Sequence, residues 1–180
     1  MPKISAKLSL FFILAVFALQ ISAQSLKLPY RDVGACPFEG CEYRKWTANK
    51  GTIIYKEMRD GSPVAFKVRA KEQVTGVTGV VITEKAGTAK ALKAAKVYAN
   101  VGKYSITVKA GETLQILHYQ GEGFYLAWFK NKFYTLDTSD NNFKIVKEPV
   151  DVWWVKIKNR KGQIGWTKLA DNFDGKDRLA

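Results

Sequence analysis

Histidine is all but missing from this chain: of 180 residues, only His118 carries an imidazole. A zinc centre needs about four ligands, and the only two cysteines, Cys36 and Cys41, lie far from His118 in sequence, so no metal and no cofactor is expected. Acidic residues are scarce as well. There are 16 against 29 lysines and arginines, a formal charge of +13. Such an excess suits anionic partners, and it equally describes a solvated lysine-rich surface that keeps a protein soluble. Also lacking is any apolar run of the roughly 20 residues that span a bilayer. The longest, 8–19, has about a dozen, the length of a signal-peptide core.

What surrounds that run fits export. Lys3 and Lys7 precede it, and Ile21-Ser22-Ala23 follows as an approximate small-x-small cleavage pattern. Residues 1–23 therefore read as a secretory signal peptide cut before Gln24, and the mature protein is expected to be secreted or periplasmic, with no stable membrane insertion. Losing the two lysines lowers the charge from +13 to +11. In an oxidising compartment, Cys36-Pro37-Phe38-Glu39-Gly40-Cys41 reads as a local disulfide. So small a loop adds about 2 kcal/mol in the chain-entropy model, enough to pin the N-terminal segment but not to support a fold. The spacing is not Cys-x-x-Cys, which argues against a redox role.

Residues 24–46 read as an extended leader. Beyond them, short β-branched and aromatic runs recur between glycine-bearing turns, at 52–55, 64–68, 74–77, 79–83, 106–108, 114–119, 124–129, 133–136, 152–157 and 163–167. Strands this short at this spacing predict an all-β protein of small barrels or sandwiches. Alanine and lysine at 86–99 favour a helix by propensity alone. A repeat opposes it: residues 67–77 align with 107–117, forty positions on, with Val, a basic residue, Ala, Glu and two aliphatics in register. Ile54-Tyr55 likewise matches Val97-Tyr98, which makes 96–99 a strand of a duplicated unit.

The segment from Val152 to Thr167 holds two alternating strands, Val152-Trp153-Trp154-Val155 and Ile164-Gly165-Trp166-Thr167, joined by Asn159-Arg160-Lys161-Gly162. It resembles the Trp-x-x-Val, turn, Gly-Trp signature of bacterial SH3-type domains. Lys109-Ala110-Gly111-Glu112-Thr113-Leu114 resembles their strand entry, and 69–74 is a weaker copy with Lys71 in place of the glycine. The resemblance implies two small SH3-like barrels in tandem, 47–95 and 96–180, with the C-terminal hairpin able to complete either. It also implies a shallow aromatic groove that binds cell-wall peptides or glycans.

No catalytic constellation emerges. His118 sits in an apolar run, no serine or cysteine lies in a nucleophile elbow, and Gly121-Glu122-Gly123 reads as a hairpin tip. Residues 171–177 have the flavour of a calcium loop, but the position for its first ligand is Ala170. The expectation is a non-enzymatic binding protein. The candidate ligand residues are Tyr125, Trp128, Tyr134, Trp153, Trp154 and Trp166, with Trp153 and Trp154 on opposite faces of one strand. The expected partner is a cell-wall or other anionic envelope polymer, or an exported protein. A structural or assembly role is the alternative, and export argues against nucleic acid.

Overall fold

The computed structural model describes residues 25–99 and 102–179; the expected signal peptide lies outside them. The protein is all-β. In chain order the strands are β1 (Tyr30–Val33), β2 (Lys45–Ala48), β3 (Thr52–Tyr55), β4 (Val64–Val68), β5 (Gln73–Lys85), β6 (Gly87–Ala91), β7 (Ala95–Ala99) and β8 (Tyr104–Val108). They continue as β9 (Thr113–Gly121), β10 (Phe124–Phe129), β11 (Lys132–Asp137), β12 (Phe143–Lys147), β13 (Val150–Lys158), β14 (Ile164–Thr167) and β15 (Phe173–Asp174), with a 3-10 turn at Ala170–Asn172. The alanine-rich stretch forms β6 and β7. There small inward residues, Ala89 and Ala91, are completely enclosed, and tertiary pairing overrides helix propensity.

Two sheets result. One runs β15-β2-β5-β13-β14-β3-β4, with β1 added to the far half of β5; the other runs β12-β6-β9-β10-β11-β7-β8. Side by side, these paths map strand for strand. The match extends to single residues: Trp46 pairs with Val74 as Ala89 pairs with Leu114, and Phe173 pairs with Ala48 as Phe143 pairs with Ala91. Even the β-bulge recurs, between Lys156 and Ile157 in one unit and between Leu126 and Ala127 in the other.

The turns entering β5 and β9 are copies as well. The Glu72 carboxylate accepts the Arg69 N–H at 2.9 Å, and the Glu112 carboxylate accepts that of Lys109 at 2.7 Å. Lys71 and Gly111 both have positive φ, 67° and 85°, and both donate to an alanine carbonyl, that of Ala48 and that of Ala91. The glycine called for at position 71 is thus replaced by a lysine held in the left-handed region.

The units are nested, not consecutive. β13 pairs along the length of β5, and β14 pairs with β3 at Trp166 and Tyr55. The C-terminal hairpin, which the sequence left open between the two units, therefore pairs with the first, so that unit draws strands from both sides of the 95/96 border. Strands β6–β12 form the second unit, inserted between β5 and β13. Each sheet has its own core, one around Trp46, Ile54, Val155, Ile157 and Phe173, the other around Val97, Val108, Ile116 and Leu136.

The leader is likewise no loose segment. Its last residues, Lys45 and Trp46, open β2, and Trp46 is 1% exposed at the centre of the first core. The Cys36–Cys41 disulfide closes a loop that docks on the C-terminal segment. Cys41 bridges to Asp177, and the Arg178 N–H donates to the Gly40 carbonyl at 2.9 Å.

Candidate functional site

The β10–β11 hairpin turns through Lys130 and Asn131, both at positive φ (45° and 64°), as a tight two-residue turn requires. This sets Trp128 directly opposite Phe133, and the two rings meet edge to face at 4.6 Å. Tyr30 of β1 also packs on Phe133, at 4.9 Å between ring centres, so rings from two distant segments meet there. Burial raises the Tyr30 hydroxyl above its usual pKa, helped by the nearby Asp32 carboxylate. Across from the hairpin, β8 supplies Tyr104 and Ile106. Between them runs an open groove of about 720 Å³, whose polar fringe includes Ser105, Asn131 and Lys132. Tyr104 is 65% exposed and Phe133 37%.

Of the residues singled out from sequence, Trp128 and Tyr134 line this groove; Tyr134 does so from the core, at 6% exposure. The others lie elsewhere. Tyr125 packs on the second core and on Tyr119, edge to face at 5.3 Å. Burial pushes its hydroxyl pKa up, and the Glu148 carboxylate adds to the effect. Trp153 and Trp154 do face opposite ways, but neither is a free stacking surface. The disulfide loop covers Trp153, with Phe38 edge-on at 5.8 Å, and its indole N–H donates to the Tyr43 hydroxyl at 3.3 Å. Burial lifts that hydroxyl's pKa to about 12, even though the indole's hydrogen bond favours the phenolate. Trp154 is buried with Val80 and Ile82, beneath Tyr55, Met58 and Trp166. Trp166 is half-buried, and the Lys156 ammonium lies 5.5 Å from its ring centre.

Tyr104, Phe133 and Tyr30 escaped the sequence reading. A signal for Phe133 was present, since its place across a two-residue turn from Trp128 makes them a cross-strand pair. None existed for Tyr30 or Tyr104, whose approach depends on β1 reaching β5 and on β8 closing the edge of the second sheet.

His118 is buried. Its Nε2 lies 2.9 Å from an Asp32 carboxylate oxygen and its Nδ1 2.9 Å from the Tyr119 carbonyl. Burial alone would depress its pKa. The two acceptors and the Asp32 and Asp151 charges outweigh that and raise it above the ordinary histidine value. The acidic C-terminal segment is engaged within the protein: Asp174 accepts from the Asn49 side-chain amide at 2.9 Å, and Asp177 accepts from the Leu179 N–H at 2.7 Å.

Among the described residues, no helix is long and apolar enough to cross a membrane. Compared with known proteins, the chain matches no family model, no curated protein and no solved structure.

Proposed function

We propose that this is an exported, non-enzymatic SH3-like binding protein whose ligand, a cell-wall peptide or glycan, lies in the groove between β8 and the β10–β11 hairpin. The observation that carries the reading is the open groove lined by Tyr104, Trp128 and Phe133, of which Tyr104 and Phe133 are exposed. Aromatic faces fringed by hydroxyl, amide and ammonium groups suit the apolar face of a sugar ring or a proline, with hydrogen bonds at its rim. Support for the SH3 likeness comes from the first unit's strand path. It has a short first strand, a hairpin, a three-stranded meander and a 3-10 turn, then a last strand that pairs with the first. The disulfide and the signal-like N-terminus support export.

The test is pull-down on purified sacculi, with soluble muropeptides and glycan oligomers titrated at about 50 and 200 mM salt. Stacking should survive the higher salt, because it depends on desolvated rings and not on exposed charge. Trp128→Ala should weaken binding about tenfold, equivalent to 1.4 kcal/mol, while the covered Trp153 tolerates phenylalanine. If no ligand in the panel binds, or if Trp128→Ala leaves affinity unchanged, the groove reading fails. An assembly role would then stand in its place.

A further inference from the structure

Because the fold is duplicated, the surfaces beside the two hairpin turns can be compared position by position. In the first unit a groove of about 640 Å³ lies between β4, the turn that follows it and the β13–β14 turn. Phe66 stands where Ile106 stands in the second unit, and the Lys158–Ile164 pair occupies the place of Trp128 and Phe133. The aromatic pair is gone at those positions, and Lys67, Arg69, Lys71, Arg160 and Lys161 line the first unit's groove, all five exposed.

We propose that this groove binds a linear polyanion, a polymer with closely spaced phosphate or sulfate groups. Two observations carry the proposal. First, the charge is uncompensated. Among the described residues none of the five cations makes an ion pair, although Lys168 pairs with Asp60 at 2.6 Å and, in the second unit, Lys130 pairs with Glu112 at 3.5 Å. The one acidic residue in the lining, Glu72, is spent on the Arg69 N–H, and Arg160 is steadied by a neutral partner, the Gln73 amide oxygen at 3.2 Å. Second, the charge extends beyond one pocket. Lys67 and Arg69 also edge a hollow of about 580 Å³ beside Thr52 and Ile53, and Arg160 shares a cleft with Lys45 and Lys158. A site for a single small anion would gather several N–H groups onto one point. Cations spaced along the rims of connected hollows suit a charged chain, whose affinity comes from displaced counterions.

This inference deepens the proposed binding function, but it uses a different groove and different residues. Trp128→Ala should leave polyanion binding intact, so failure of one reading is distinguishable from failure of the other.

The experiment titrates the mature protein with long-chain polyphosphate, a heparin dodecasaccharide and inorganic phosphate, from about 50 to 200 mM salt. Both polymers should bind; a preference between them separates phosphate from sulfate as the recognised group. With about five contacts the affinity should fall on the order of a hundredfold over that range, from a slope of about 0.7–0.9 per contact. A variant with Lys67, Arg69, Arg160 and Lys161 changed to alanine should lose at least tenfold at the lower salt and flatten the slope by about 3. A control variant with Lys90, Lys93, Lys144 and Lys147 changed to alanine removes the same charge from the second unit and should lose less than threefold. If the groove variant does not fold by circular dichroism, Arg160→Glu and Lys161→Glu in the exposed turn give the same readout singly. Equal losses in groove and control variants would overturn the proposal. So would inorganic phosphate binding as tightly as the polymers.

Discussion

The duplication poses a packing problem that the two units solve in opposite ways, and exchanging the solutions is a direct test of the fold. In the first unit the Trp46 indole lies on Gly76: a Cβ at residue 76 would meet three ring atoms at 2.6, 2.7 and 2.8 Å. In the second unit the equivalent positions are Ala89 and Ile116, both fully buried. Bulk is on β2 in one unit and on β9 in the other. Trp46→Ala alone should cost about 3–5 kcal/mol, because it empties the middle of a core bounded by Phe173, whose ring centre is 6.1 Å away. Gly76→Ile alone should cost at least the overpacking range of about 1–3 kcal/mol, because the ring has no open side to move into. Together they reproduce the second unit's arrangement, and the inserted side chain fills much of the space the indole vacates. The double variant should therefore be more stable than the sum of the two losses predicts by about 2–3 kcal/mol, a coupling usual for residues in contact. The assay is urea denaturation followed by far-UV circular dichroism on all four members of the cycle, with the m-value checked for constancy. Losses that add to within about 0.5 kcal/mol would refute the equivalence of the two pairs.

Three further predictions follow from the same geometry. Gly165→Val should lower stability by roughly 1–3 kcal/mol, because a Cβ there would sit 2.5 Å from the Tyr55 carbonyl oxygen and 2.9 Å from the Ala65 Cβ; an unchanged melting temperature would show that β14 does not pack so closely on β3 and β4. His118 has a raised pKa, so its stabilisation is complete below about pH 6.5 and is lost as pH rises through the folded value. Asp32 and Asp151 are the charged groups that face it, and burial raises the Asp151 carboxyl above its ordinary pKa. The gap in melting temperature between wild type and His118→Gln should therefore be widest near pH 6 and shrink toward pH 9; a constant gap would contradict the assigned hydrogen bonds. Mass spectrometry of the exported, non-reduced protein should find the 36–41 peptide two hydrogens lighter than its reduced form. The Cys36→Ala, Cys41→Ala variant should fold, with a loss near 2 kcal/mol; failure to fold would mean that the loop does more than pin the chain ends.

Strand character was readable along most of the chain because side-chain alternation and turn residues are local. The 67–77 and 107–117 match was readable for a related reason. Both segments carry the same turn, whose Glu72 and Glu112 carboxylates close it from within four residues. The nesting was hidden. Upstream of the insertion, equivalent residues lie 40 or 43 positions apart in one sense, as with Val68 and Val108 or Trp46 and Ala89. Downstream they lie about 30 apart in the other, as with Phe173 and Phe143. No single offset exposes the whole repeat, and opposed volumes at 46/89 and 76/116 erase the identity that an alignment would use.

The same division explains the site. From sequence alone came the count of aromatics, the opposed faces of Trp153 and Trp154 and the excess of positive charge, each a property of composition or of one strand. Whether a given ring meets solvent depends on which distant segment lies over it, and only the tertiary structure decided that. The disulfide loop covers Trp153, β3 and the Met58 loop cover Trp154, and Tyr30 packs on Phe133. Burial is set by long-range contacts between segments whose pairing is a property of the whole fold, and that is why composition could supply the rings but not the groove.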